Sequence, residues 1–489
     1  MWGKDIYKIQ TGGTNHTSRQ SRRMFIINCS LLIIFSLLTL VEVIQHEPWR
    51  DELQAWIIAR DLDAPGIIYQ MRYEGHFALW SLILHPFSVC GGSLLWMGLV
   101  SWGLMVVAAG LFVFRSPFTW YAKAAFLLSY PMIYYFPVVS RCYALVPPLL
   151  FGMASLYKSL PRHRLLYCFL LGVLAHTHVY MEGMVAVLFL IYCYDCIWKP
   201  WRVSSFRERA YALAGALLTV GMVLLAFLQV LPALNLRSDL GGFTYSLGET
   251  LEVMGGTVLV NEALWVQIVN YGILALLVVW FISRYARGHN LRIPLIVIGA
   301  VAWQIFFSVE VYPMMLQRAY LFLFILVFAM WIMVRQRPLL SVIVTILSIF
   351  TMHKLPEAYE DLYKPYSNVS QIAELLDRFV PEGGVVAVDN MSKVLTAYRP
   401  DYQYISIDTL EPVVTYSPHT PCRKEKIEEF SNEITEGETY YYVRSDIGMK
   451  HFGKTIKRLK GRYKVELLKL KGERALQESF YLYRVRKEK

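Results

Sequence analysis

Apolar stretches of membrane-crossing length recur along most of this chain, and they restrict its class before any single residue does. Met24 to Ile44 is the first. Others follow at about 93–114, 120–138, 142–157, 165–180, 183–198, 210–231, 263–283, 293–309, 318–334 and 338–352. A helix needs roughly 20 apolar residues to cross the hydrocarbon core of a bilayer. Apolar residues make up 56% of the chain and charged residues only 17%. The expected fold is a polytopic α-helical membrane protein with about 11 transmembrane helices.

The charge pattern orients these spans. Residues 1–23 are polar and basic, with Lys4, Lys8, Arg19, Arg22 and Arg23, and form a cytoplasmic N-terminus. Every second loop is then basic: Arg115 and Lys123; Lys158, Arg162 and Arg164; Lys199, Arg202, Arg207 and Arg209; Arg284, Arg287 and Arg292; Arg335 and Arg337. Loops on the other side carry isolated cations, Arg141, Arg237 and Arg318. The net charge of +11 is therefore a signature of topology, and no nucleic-acid partner is expected. An odd number of spans places the segment from His353 to Lys489 outside.

That segment is polar and reads as a small soluble α/β or α+β domain, residues 353–489, after a transmembrane domain at 24–352. Helical periodicity covers Ser370 to Phe379, and strands are expected at 385–388, 402–405, 440–443, 465–468 and 480–483. It shows no nucleotide loop, metal cluster or catalytic motif. Most of the seven cysteines lie in apolar segments without a disulfide pattern. Cys193-Tyr-Asp-Cys196 is a single CxxC in an apolar run and reads as helix packing.

Residues 45–92 form an outer-face loop too polar to be a span. It opens with Gln45-His-Glu-Pro-Trp-Arg-Asp-Glu52. A short interfacial helix is expected from Asp51 to Leu62, with Leu53, Trp56 and Ile57 as its apolar stripe and Pro65-Gly66 ending it. A second is expected at 76–89. Asp51 can be the N-cap, with Gln54 completing a capping-box-like pair and Glu52 favouring the helix N-terminus. Alternatively, a carboxylate facing a cavity at the membrane surface acts as a base. Glu74 and His76 place a second acid and a histidine in the same loop. Arg141 and Arg318 each begin a span at the outer side, where a planar guanidinium suits phosphate, with lipid headgroups as the plainer alternative. His176 and His178, two positions apart, cannot share a helical face, and packing is the simpler role for them.

These features, in this order, resemble the GT-C superfamily of integral-membrane glycosyltransferases, in the branch of aminoarabinose transferases and protein O-mannosyltransferases. The resemblance rests on Trp49-Arg-Asp-Glu52 after the first span, Tyr73-Glu-Gly-His-Phe-Ala-Leu-Trp80, Ser140-Arg-Cys-Tyr-Ala-Leu145, and His176-Thr-His178 with an outer domain closing the chain. It covers about 24–352. The family often has Pro after the loop histidine, where this chain has Phe77.

The resemblance implies transfer of a sugar from a polyprenyl-phosphate-linked donor to a lipid, glycan or protein acceptor, with inversion, on the outer face of a bacterial cytoplasmic membrane. It implies catalytic roles for Asp51, Glu74 and Glu52, with Asp51 as the base. It implies donor-phosphate contacts by Arg141, Arg318 and Arg50, and substrate contacts by His76, Tyr143, His176 and His178. Some relatives use a divalent cation and others do not, and nothing in the sequence requires one. The rival readings are a glycan ligase or polymerase with a diphosphate-linked donor, a polytopic lipid or sugar transporter, and a membrane-anchored binding protein. A transporter would more often show inverted repeats, and none is seen.

Overall fold

The computed structural model describes residues 14–238 (except 75), 245–257, 292–333 and 337–413 (except 383, 390 and 408). It also describes 439–446, 459–460, 463–468, 475 and 478–486. Among these, six helices are long and apolar enough to cross a membrane: Ser21–Gln45, Leu95–Arg115, Val179–Trp198, Phe206–Leu231, Arg292–Glu310 and Pro338–Asp361. Leu79–Val89, Arg164–Ala175 and Leu316–Ile332 are shorter apolar helices. This is a multi-pass membrane protein.

Several expected spans depart from the simple helix. The stretch at 120–138 breaks into a helix, Trp120–Leu127, a π turn, Pro131–Tyr135, and one short turn, Phe136–Val138. Pro131 and Pro137 lack the N–H that a continuous helix needs. The stretch at 142–157 opens as a 3-10 turn, Cys142–Leu145, before Val146–Leu156. The span expected at 263–283 lies outside the described residues.

Helix α1, Thr14–Gln45, carries the chain to the polar loop. Three helices follow: α2, Arg50–Asp61; α3, Ala64–Glu74; and α4, Leu79–Val89. Helix α3 was not expected. Helix α2 ends at Asp61, ahead of Pro65-Gly66, which falls in the first turn of α3, where a missing N–H costs nothing. Helix α5, Leu95–Arg115, returns against α1 so closely that a Cβ on Gly98 would sit 2.8 Å from Val43 Cγ1. Glycine makes a second close crossing, because a Cβ on Gly183 would lie 2.2 Å from Trp303 Cβ.

All five expected strands form one mixed sheet, in the order β2-β1-β3-β5-β4. They are β1, Val385–Val388; β2, Gln403–Ser406; β3, Thr439–Ser445; β4, Lys464–Leu468; and β5, Phe480–Arg486. Strand β1 pairs in parallel with β2 and β3, so their carboxyl ends share one edge. Strand β5 runs antiparallel to β3 and β4. The helix Val369–Phe379 covers the sheet with buried Ile372 and Leu376. The unit docks on the polar loop: Arg60 Nη1 donates to the Thr396 carbonyl at 2.7 Å, and Tyr398 Oη donates to Glu47 at 2.8 Å.

Candidate active site

Helix α2 is amphipathic, and its apolar side fixes it. Leu53, Trp56 and Ile57 are buried as the stripe predicts. The capping differs from expectation. The helix begins at Arg50, so Asp51 is inside the first turn and does not cap it. Glu52 does the capping, accepting the Trp49 N–H at 3.2 Å.

Glu52 is fully buried, and both its oxygens are engaged. One accepts the Ser140 N–H at 2.5 Å, a donor freed where the prolines interrupt the helix before it. The other takes His46 Nε2 at 3.0 Å. His46 Nδ1 meets Asp361 at 2.6 Å, and Tyr134 donates to the same Asp361 oxygen. Burial alone would lower the His46 pKa, but Glu52 and Asp361 outweigh it and raise it to about 10. The imidazolium therefore ties the end of α1 to α2 and to the chain leading to the sheet. Glu52 is an anchor beneath the site.

Relieved of capping, Asp51 faces two guanidiniums. Its Oδ2 meets Arg141 Nη1 at 2.5 Å, and its Oδ1 accepts from Arg50 Nε at 3.2 Å and Nη2 at 3.1 Å. Burial would raise the Asp51 pKa, but Arg141 and then Arg50 hold it well below the usual carboxylate range. Glu74 moves the other way. Burial raises it to about 7, the Asp51 charge adds to that, and the hydrogen bond from Gln70 and the Arg141 charge oppose it. Gln54, three residues after Asp51 on α2, donates to one Glu74 oxygen, and Gln70 donates to the other at 3.1 Å. Two neighbouring carboxylates thus differ widely in proton affinity.

Beside them lies a second group. Tyr143 sits within electrostatic reach of both Arg141 and Arg318. Its Oη lies 3.4 Å from His178 Nε2, and the His178 ring is 5.8 Å from that of His76. Arg318 is buried, stacks 4.0 Å over Tyr312, and donates through Nη1 to the Pro313 carbonyl at 2.5 Å. Its Nε is buried without a hydrogen-bond partner. His176 stands apart: its Nε2 contacts the Met222 carbonyl at 2.9 Å, and its ring faces Phe77. It joins helices, as its spacing suggested, and is separated from the cluster that His178 enters. Among the described residues, no group of three or more His, Cys, Asp or Glu is arranged to hold a metal ion. Cys193 and Cys196 are both free.

No protein-family model matches the chain, and no curated protein matches it by sequence. Solved structures do match. A crystal structure of ArnT from Cupriavidus metallidurans bound to undecaprenyl phosphate aligns with a TM-score of 0.57 at 13% identity, over 94% of this chain and 97% of that one. The apo form of the same protein aligns with a TM-score of 0.53 at 14% identity, over 93% and 98%. The chain shares the fold of this ArnT.

Within this fold, the structure brings together Asp51, Arg50, Arg141 and Glu74, and beside them Arg318, Tyr143, His178 and His76. Sequence reasoning missed the groups that support them. Glu47 takes the Ser370 N–H at 3.0 Å, and Glu478 takes the Arg50 N–H at 2.7 Å. Asp361 fixes His46. No local pattern marks these residues, because their partners lie hundreds of positions away.

Proposed function

We propose that this protein transfers a sugar from a polyprenyl-phosphate-linked donor to an acceptor at the outer face of the membrane, with inversion. The observation that carries this reading is the opposed pair of carboxylates, Asp51 paired with two arginines and Glu74 held by two neutral amides, beside a buried Arg318 with a free donor. Pairs of titratable groups pushed apart in this way are how one site divides charge and proton work. The shared fold with ArnT, one structure of which is bound to undecaprenyl phosphate, supports the donor class.

In this mechanism, Asp51 keeps its charge throughout and holds Arg141 and Arg50 in register. A base works best with a pKa near the operating pH. Glu74 therefore accepts the proton of the acceptor hydroxyl, in place of the role first expected for Asp51. The hydroxyl oxygen bonds to the anomeric carbon as the bond from that carbon to the phosphate oxygen breaks. Polyprenyl phosphate leaves, and Arg141 and Arg318 stabilise its charge. Tyr143, His178 and His76 line the donor side. The N-terminus is cytoplasmic, the sheet unit (within 353–489) is external, and the helical part (24–352) holds the donor.

The test is release of polyprenyl phosphate by purified protein from a panel of polyprenyl-phosphate sugars, with membrane extract as acceptor source. Release from one donor supports the reading and names the sugar. Release from none, by folded protein, rejects it in favour of a diphosphate-linked donor or transport.

A further inference from the structure

The first turn of α2 carries Asp51, which pairs with Arg141, and Arg50, which pairs with Asp51, and one contact to this turn comes from the far end of the chain. Arg50 is the first residue of the helix, and its N–H has no partner within it. The N-cap, Trp49, provides no side-chain acceptor. Glu478, 428 positions away and two residues before β5, supplies the acceptor, with Oε1 at 2.7 Å from the Arg50 nitrogen. The same oxygen accepts from Ser367 Oγ at 3.1 Å, and Glu478 forms a backbone bridge with Ser367. The Glu478 side chain is buried.

Arg50 is gripped a second time from the same side. Its Nη1 donates to the Met391 sulfur at 3.0 Å, while Nε and Nη2 go to Asp51. Met391 lies in the loop after β1, at the edge where the carboxyl ends of the parallel strands meet. The sheet unit therefore holds Arg50 at the backbone and at the guanidinium, and Arg50 in turn holds Asp51.

We propose that Glu478 is a positioning residue for the Asp51 site, through which the sheet unit fixes the first turn of α2 and so the Arg50–Asp51 pair. It touches no substrate. Its effect falls on the geometry of the reacting groups more than on donor binding, because small displacements of reacting groups cost rate steeply. The inference rests on the proposed role of Asp51, and its test is separable from that role.

The test compares Glu478→Ala, Glu478→Gln and wild type in full-length protein, by amide hydrogen exchange and by polyprenyl phosphate release. In Glu478→Ala, the amides of Arg50 to Leu53 should exchange about 10-fold faster or more, the loss expected for one buried hydrogen bond. The amides of β5 from Leu482 to Val485 should stay protected. The kcat should fall by about 10-fold or more with KM for the donor within about twofold, the pattern of a group that acts on the transition state. Glu478→Gln, whose amide oxygen still accepts from Arg50, should recover most of both losses. Unchanged exchange in α2, or an unchanged kcat, in Glu478→Ala overturns the proposal. If the alanine protein loses β5 protection as well, Glu478→Asp decides: faster exchange in α2 alone supports the role, and intact α2 protection rejects it. Wild type that releases no polyprenyl phosphate would reject the transferase reading, while the exchange contrast would still decide the clamp.

Discussion

Asp51 and Glu74 carry the same functional group and have opposite environments, and most of the chemistry follows from that difference. Asp51 has two guanidiniums within hydrogen-bonding distance, so protonating it breaks two ion pairs. Glu74 has only neutral amide donors on its oxygens and a negative neighbour in range. A base with a pKa near 7 is deprotonated above that value, so release should rise with pH between about 6 and 8. Glu74→Gln should lower the plateau by about 100-fold or more and remove this limb from the pH–rate profile. A limb that persists in Glu74→Gln would assign the proton to another group. The residue types of this site were legible in the sequence, since a loop with Asp51, Glu52 and Glu74 at a membrane edge needs an explanation. Their division of labour was not legible. Nothing in Asp51-Glu52 says which carboxylate turns inward, and the choice rests on Ser140, His46 and Arg141, residues brought there by other elements.

At the scale of the element, α2 is the part that everything else locates. Its apolar stripe was readable because spacing alone puts Leu53, Trp56 and Ile57 on one side. Leu53 is fully buried. Leu53→Ala should cost about 2–5 kcal/mol, the range for emptying a buried leucine site, and thermal unfolding in detergent measures it. The underside of the helix is ionic. His46 is charged between Glu52 and Asp361, with its folded pKa raised above the ordinary value of 6.5 to about 10. A raised pKa favours the folded state of the protonated protein. This contribution is complete below about 6.5, shrinks as pH rises, and is gone above about 10. The melting temperature should therefore fall between pH 7 and 10, and His46→Asn should flatten that part of the curve. An equal slope in His46→Asn would place the alkaline loss elsewhere. Helix α3 was missed because Pro65-Gly66, a sound stop signal for α2, also suits the first turn of a new helix.

At the scale of the molecule, the sequence was most informative where periodicity is strong. All five strands lie where alternation and β-branched or aromatic residues placed them, and the long apolar helices do as well. It was least informative where proline-rich segments such as 131–148 trade a regular span for backbone donors outside the helix ladder, one of which Glu52 uses. The docking of the sheet unit on the polar loop was invisible, because its contacts pair residues far apart in sequence, Glu47 with Tyr398, Arg50 with Glu478 and Arg60 with Thr396. Those pairs join the helical part and the sheet unit around Asp51.

The most direct test of this account is polyprenyl phosphate release measured side by side for wild type and Asp51→Asn. The asparagine leaves Arg141 and Arg50 without their counter-charge, and breaking such a pair should reduce release by about 100-fold or more. Equal release by the two folded proteins would contradict the placement of the reaction at the Asp51–Arg141 pair.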